Sequence, residues 1–524
     1  MSQHDRSADR MNAAAVFVDD NVRAGRAGAL AVLDAATGAT LTYAQVLELV
    51  NRTGHALRYL GVRRGERVML ILPDGAAFVA AFFGTIKIGA VAVPVNTLLK
   101  QHDYEYLLQD SGARVLIVQE SLARSVESLS SRPANLRHVI VAGTAARPHL
   151  SFDDVVEAAS PDLDAEEMSR DDHAFWLYSS GTTGFPKGAI HLQSHMACCA
   201  ESFGRGILGI TEDDRTFSVA KLFFAYGLGN ALYFPFSVGA STILYNAKPE
   251  PERCFEIIER HRPTIFYGVP TAYAAMLALA ERSQRQYDLS SLRLCSSAGE
   301  PLPAALYERW KARFGVEILD GIGSTEVLHT FIANRPGRVR SGSSGEIVPG
   351  YEAKIVNSDG GEIAPGEIGD LLIKGESICA GYWNQPEKTA ATIADGWIRT
   401  GDKYSRDADG YFWYHGRSDD MLKSGGQWVS PAEVEAAVVA HEAVLECGVV
   451  GREDAAGLVK PLAFVVLKPG RAGSPDLADE LKRFVKMRIA VYKCPRWVAF
   501  VPDLPKTATG KIQRFKLRDI HVDL

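Results

Sequence analysis

Hydrophobic and polar positions along the first three-quarters of the chain fall into two patterns that take turns. Short apolar runs such as Arg67–Pro73, Arg114–Val118, Arg137–Val141 and Ala174-Phe-Trp-Leu177 read as strands buried on both faces. Between them lie stretches with helical spacing, among them Thr42–Leu60. The alternation resumes further on. It predicts helices over Pro251–His261, Thr271–Arg282 and Pro303–Phe314, and strands over Thr264–Gly268, Arg293–Ala298 and Glu317–Gly321. Strands that alternate with helices predict an α/β fold of doubly wound mixed sheets. From Ser344 to His415 the pattern changes to short strands separated by Gly-rich turns, which predicts a β-rich subdomain. A polar, Gly-rich connection follows at Gly416–Gly426. Beyond it lies a compact α+β segment. Ser430-Pro-Ala-Glu433 reads as a capping box opening a helix to about His441, with strands at Val444–Gly451 and Leu462–Leu467 and a helix at Leu477–Arg488. The expected organisation is a large N-terminal domain, residues 1–418, and a small mobile C-terminal domain, residues 419–524.

One apolar stretch, Ala76–Val95, has about the length of a membrane span. Lys87 and Pro94 interrupt it, so it reads as a buried helix, Ala76–Ile88, that turns at Gly89 into a strand, Ala90–Pro94. No membrane partner is expected. Residues Met1–Arg10 are polar and lack the apolar core of a secretory signal, which points to the cytoplasm.

Composition changes this picture little. The 524 residues are 47% hydrophobic and 23% charged, with a formal net charge of -6. There is no basic field to attract nucleic acid. The seven cysteines include no C-x-x-C pair, so they suggest neither a zinc site nor a disulfide framework. Oligomeric state is not legible, which leaves a homodimer open.

The chemistry concentrates in a few loops that follow predicted strands. Tyr178-Ser-Ser-Gly-Thr-Thr-Gly-Phe-Pro-Lys-Gly188 combines the hydroxyls of Ser179, Ser180, Thr182 and Thr183 with Gly181, Gly184 and Gly188 and the positive charge of Lys187. Exposed N–H groups, hydroxyl donors and a cation suit a polyphosphate. The spacing is not that of a Walker loop, because Pro186 stands where its second glycine belongs. Gly321-Ile-Gly-Ser-Thr-Glu326 sets a carboxylate beside a hydroxyl, a donor set suited to Mg²⁺ shared with phosphate; taken alone, the same residues read as a helix start. Thr400-Gly-Asp402 offers a carboxylate to a pair of ribose hydroxyls, although a plain β-turn aspartate is the commoner meaning of that tripeptide.

Together these motifs, in this order, resemble the acyl-adenylate-forming superfamily, over about residues 20–519. The resemblance implies that ATP is held by the phosphate loop through Lys187, by an adenine pocket at Gly299, Glu300 and Pro301, and by Asp320, Gly321 and Ile322. It further implies that Thr325 touches the α-phosphate, that Glu326 holds Mg²⁺, and that Asp402 and Arg417 bind ribose. Lys511, in Thr509-Gly-Lys-Ile512, matches the family's adenylation lysine. Ile322 departs from the aromatic residue that often stacks on adenine there. The resemblance also implies a domain swing about Asp419 that withdraws Lys511 and brings Lys423, Gly425 and Gly426 to a coenzyme A tunnel.

Lys221-Leu-Phe-Phe-Ala-Tyr-Gly-Leu-Gly-Asn-Ala231 resembles the benzoate-type CoA ligases, as does Ser324-Thr-Glu-Val-Leu-His329. On composition alone, the first of these reads as the start of a core helix. The resemblance implies an aryl-acid pocket of Phe224, Ala225, Tyr226, Gly227, Gly299, Gly323, His329 and Ile332. His329 is open between contact with a ring substituent, contact with the carboxylate, and a satisfied core histidine. The expected substrates are benzoate or an amino- or hydroxybenzoate, ATP and coenzyme A. A carrier-protein thiol as acceptor and a non-catalytic nucleotide sensor are the competing readings.

If the swing turns on Asp419, Asp419→Pro leaves acid-dependent pyrophosphate exchange intact and cripples thioester formation. Equal loss of both half-reactions would count against the hinge.

Overall fold

The computed structural model describes residues 10–127, 133–179, 186–283, 285–418, 420–424, 427–454, 459–506 and 512–522. Helix α1 (Tyr43–Tyr59) begins with a reciprocal cap, in which Thr42 Oγ1 accepts from the Gln45 N–H while Gln45 Oε1 accepts from the Thr42 N–H. It packs on α2 (Ala76–Lys87), which is buried at every position from Phe78 to Lys87. That enclosure explains why so apolar a helix is stable without a membrane. Among the described residues no helix is long and apolar enough to cross a bilayer.

Among the described residues the strands form two large sheets and smaller ones. In the first large sheet, β1 (Arg67–Ile71), β2 (Val91–Pro94), β3 (Val115–Gln119), β4 (His138–Ala142) and β5 (His173–Ser179) run parallel in the order β4-β3-β1-β2-β5. At its edge β6 (Lys187–Leu192) reverses direction and pairs antiparallel with β5. The phosphate loop therefore joins two strands of a hairpin. The second sheet contains β7 (Arg215–Ser218), β8 (Ser241–Leu244), β9 (Ile265–Gly268), β10 (Leu294–Ser297) and β11 (Ile318–Gly323), parallel in the order β8-β7-β9-β10-β11. Here too the last parallel strand is followed by a reversal, to β12 (Thr330–Ala333). The parallel strands of the first sheet are almost wholly apolar, as covering on both faces requires, whereas those of the second are equally buried but carry Thr216, Ser218, Thr242, Ser296 and Ser297.

The β-rich subdomain is the expected antiparallel sheet, with β13 (Tyr351–Val356), β14 (Gly369–Gly375) and β15 (Trp397–Arg406) in order and β16 (Phe412–Arg417) paired to β15. The C-terminal segment folds as α3 (Pro431–Val439), β17 (Val444–Glu453), β18 (Val459–Leu467), α4 (Pro475–Lys486) and β19 (Trp497–Phe500) around its own core. Only half of the predicted capping box forms there. Ser430 Oγ accepts from the Glu433 N–H, but the Glu433 carboxylate turns to Lys493, 2.7 Å away, where a full charge outcompetes a backbone amide. The Gly416–Gly426 connection contains a short strand, Leu422–Ser424, paired with Gln427–Val429.

Lys87, which argued against a membrane span, is fully buried. Its ammonium donates to Asp19 Oδ1 and Asn51 Oδ1, each at 2.6 Å. It ties the N-terminal helical segment to α1 and α2. Lys87→Met strands the Asp19 carboxylate and should cost about 3–5 kcal/mol, read from the urea midpoint of the large domain. A loss under about 1 kcal/mol would show that the cluster is not a structural tie.

Candidate active site

The two reversals face one another. Ser179 ends β5 and pairs in register with Lys187 at the start of β6. Glu326 lies in the turn between β11 and β12, whose first residue, Ser324, accepts from the Val327 N–H. Lys187 Nζ stands 3.3 Å from Glu326 Oε1, with the two side chains 14% and 16% exposed. Ser179 Oγ donates to the same oxygen at 3.2 Å. Tyr382, which follows the β-rich sheet's second strand, stands between them. Its hydroxyl donates to Glu326 at 3.0 Å and accepts from Lys187 at 2.7 Å. Burial alone would raise the Glu326 pKa. The Lys187 charge, Glu326's own N–H and the Tyr382 hydroxyl outweigh it and hold the carboxyl below its ordinary range.

Tyr382 is fixed through its neighbour. The Trp383 ring lies 4.4 Å from Trp176 of β5, the Arg67 guanidinium covers both rings, and the indole N–H donates to the Asp110 carbonyl.

Beside this junction are the carboxyl ends of β10 and β11, where Ser297 pairs with Asp320. Open parallel sheets bind ligands at this end. Asp320 Oδ2 accepts from the Leu302 N–H, while its Oδ1 and Ser297 Oγ are buried with no hydrogen-bond partner among the described residues. Burial pushes the Asp320 carboxyl up to about 7. Ile322 is half-buried and presents an aliphatic face. Asp402 pairs with Arg417 across β15 and β16, and Arg417 Nη1 donates to Asp402 Oδ1 at 3.2 Å. Burial holds the Tyr404 hydroxyl well above its ordinary range, and the Asp402 charge adds to the shift.

Phe224, Ala225 and Tyr226 are half-buried at the start of a buried helical run that continues to Val238. The core helix expected from composition is present, and its first three residues form a half-buried wall. Tyr226 Oη donates to Ser296 Oγ at 3.3 Å. His329 is buried behind the wall among Phe203, Tyr226, Tyr233 and Phe234. Its Nε2 lies 3.3 Å from the Tyr226 carbonyl and 3.2 Å from Asn230 Oδ1, and its Nδ1 has no partner among the described residues. Burial pushes its pKa down to about 3, so the ring is neutral. Two glycines permit the close fit. A Cβ on Gly229 would meet His329 Cδ2 at 2.5 Å, and one on Gly323 would meet the His329 carbonyl oxygen at 2.5 Å. Ile332 is fully buried opposite Ile322 in the β11–β12 ladder.

The AMP-binding enzyme pattern matches residues 18–383, and the C-terminal domain pattern of the same enzymes matches residues 433–511. The chain belongs to the AMP-binding enzyme family. It is 51% identical to a benzoate–CoA ligase of Thauera aromatica over 512 residues, covering 97% of this chain and 96% of that one. It is 45% identical to a 4-hydroxybenzoate–CoA/benzoate–CoA ligase of Rhodopseudomonas palustris, covering 97% and 94%. A crystal structure of an anthranilate CoA ligase in complex with anthranoyl-AMP superposes with a TM-score of 0.93 at 47% identity, with 97% of each chain covered.

In this AMP-binding enzyme the structure brings together Ser179, Lys187, Thr325 and Glu326, as the motifs predicted. Ser180, Gly181, Thr182, Thr183, Gly184, Asp419, Gly425, Gly426 and Lys511 lie outside the described residues. Lys423 is placed by its backbone, opposite Trp428. Gly299, with φ 96°, and then Glu300 and Pro301 follow β10 beside Asp320. Sequence reasoning missed Tyr382 and His191. Nothing in Gly381-Tyr-Trp383 marks Tyr382, which acts 195 residues from Lys187. His191 did leave a signal, because the period of two puts it on the Lys187 face of β6.

Glu326 is ionised across neutral pH while Lys187 is present. In Lys187→Met the burial effect prevails, its pKa rises, and the carboxylate is lost as pH falls towards 6. The ratio of pyrophosphate-exchange rates at pH 6 and pH 8 should then drop roughly threefold or more below the wild-type ratio. An unchanged ratio would show that Lys187 does not keep Glu326 ionised.

Proposed function

We propose that the enzyme activates benzoate, or a small amino- or hydroxybenzoate, with ATP and transfers the aroyl group to the thiol of coenzyme A. The observation that carries this reading is the meeting of Lys187 with Glu326, 3.3 Å apart. It occurs on a segment whose far end, His329, backs the aromatic wall of Phe224 and Tyr226. The activities named for the relatives, on benzoate, 4-hydroxybenzoate and anthranilate, support the same substrate range.

In the first step the acid's carboxylate oxygen attacks the α-phosphorus of ATP, and the bond to pyrophosphate breaks. In the second, the thiolate of coenzyme A attacks the carbonyl carbon of the aroyl-AMP, and AMP leaves. The acid is itself the nucleophile, so the protein's task is to manage charge. An anion must approach a polyanion. Lys187 and the phosphate hairpin present positive potential to the phosphates, and Lys511 bridges the carboxylate and the α-phosphate. A preorganised donor of this kind is worth about 3–4 kcal/mol. Asp402 and Arg417 hold the ribose, and Gly299–Pro301 with Ile322 flank the adenine.

Among the described residues no three His, Cys, Asp or Glu side chains cluster to cage a metal. A single carboxylate beside Thr325 and Ser179 is instead the donor set for an ion that takes its remaining ligands from phosphate and water, as Mg²⁺ does. Glu326 would hold Mg²⁺, which when bound would supply neutralising charge to the phosphates. We assign residues 1–418 to the adenylating domain and 419–524 to the lid, with Asp419 as hinge and Lys423, Gly425 and Gly426 beside the pantetheine path. The need for ATP and coenzyme A supports a cytoplasmic location.

The reading is tested by acid-dependent AMP release in the presence of coenzyme A. Benzoate, aminobenzoates and hydroxybenzoates should exceed medium-chain fatty acids by about tenfold or more in kcat/KM, the discrimination a shaped apolar slot can reach. Preference for the fatty acids would overturn it.

A further inference from the structure

The turn that carries Glu326 is gripped from behind at three consecutive carbonyls. The Thr325 carbonyl lies 2.8 Å from His191 Nε2, the Glu326 carbonyl accepts from the Cys379 N–H at 2.7 Å, and the Val327 carbonyl accepts from Ser377 Oγ at 2.8 Å. Two of these grips come from the loop that leads to Tyr382. The third comes from β6, four residues beyond Lys187 and on the same face of the strand.

His191 is fully enclosed. Its ring stacks on Phe175 at 5.1 Å, and its Nδ1 lies 3.1 Å from Nδ1 of buried His195. The hydrogen-bond partners fix the tautomers. A carbonyl only accepts, so His191 Nε2 carries the proton. Burial pushes His191 down to about 4, so the ring is neutral and its Nδ1 is bare. That bare nitrogen accepts from His195, which must carry its proton on Nδ1.

We propose that His191 and His195 form a positioning pair that holds the Thr325–Glu326 turn in register with Lys187, and so sets the enzyme's affinity for Mg·ATP. One strand then fixes both sides of the phosphate site. Lys187 acts on it from the front, and His191 acts through the backbone of the residue before Glu326. The pair touches neither phosphate nor acid. Outer partners of this kind commonly change affinity for a metal by about 10–100-fold when removed.

The inference rests on the adenylation reading for the identity of the ligand, and calorimetry keeps the two apart because ATP is not consumed when no acid is present. His191→Gln keeps an N–H where Nε2 stood, whereas His191→Asn is too short to reach Thr325. Titrating ATP with and without Mg²⁺, the Asn variant should bind Mg·ATP about tenfold or more weakly and lose most of the gain that Mg²⁺ confers, and the Gln variant should stay within about threefold of wild type. The KM for benzoate should change less than about twofold in both, which a general structural defect would not spare. If His191→Asn does not fold, His195→Ala leaves the Thr325 contact in place but frees the tautomer, and should weaken Mg·ATP by about threefold or more. Equal binding by the Asn and Gln variants, or parallel losses for nucleotide and acid, would overturn the pair's role. Absence of benzoate-dependent pyrophosphate exchange in the wild type would instead overturn the adenylation reading.

Discussion

A lysine and a glutamate brought 3.3 Å apart out of water, with one tyrosine hydroxyl between them, form the contact on which the rest of this molecule converges. Each participant comes from a different sheet system. Removing two charges from bulk water costs several kcal/mol per ion, and their attraction offsets that cost only when every remaining donor and acceptor is satisfied. Here Ser179, Tyr382 and the gripped backbone of residues 325–327 supply those partners. A pair so well supported does little for stability beyond what apolar residues could do in its place. Its value is positional, since it keeps a cation and a carboxylate ready where a polyphosphate and its metal need them.

The topology explains why the charges meet. In each large sheet the run of parallel strands ends in a reversal, from β5 to β6 in one and from β11 to β12 in the other. A parallel strand must be followed by a long crossover, but a reversal can be short and can carry functional groups at its tip. The two reversals supply the phosphate hairpin and the Glu326 turn. The second of them continues into His329, so the Glu326 turn and the histidine behind Tyr226 share a single stretch of chain.

That sharing constrains the wall formed by Phe224, Ala225 and Tyr226. His329 is neutral, donates from Nε2 towards the Tyr226 carbonyl and Asn230, and is pressed against Gly229. The wall is therefore rigid at its base, while Phe224, Ala225 and Tyr226 keep open faces. A flat aromatic ring suits such a slot better than a flexible chain, because rigid aromatic walls contribute most to a ligand that loses little freedom on binding.

Much of this was legible from local pattern. Near-continuous apolar runs mark the strands of the first large sheet, Lys87 and Pro94 mark α2 as a buried helix despite its membrane-like composition, and the Gly/Ser/Thr/Lys stretch suits a polyphosphate because tight turns and phosphate ligands restrict residue choice locally. Asp402 and Arg417 were named together only by the family resemblance, and it is the β15–β16 register that sets them opposite one another. Tyr382 and the His191–His195 pair could not be assigned in this way. Their roles depend on which distant carbonyl or carboxylate comes within 3 Å, and a single sequence carries no record of contacts made across more than a hundred residues. The sequence by itself determined the elements and the kinds of group in the site. Only tertiary structure decided which groups meet, because burial and hydrogen bonding act between strands that chain order does not bring together.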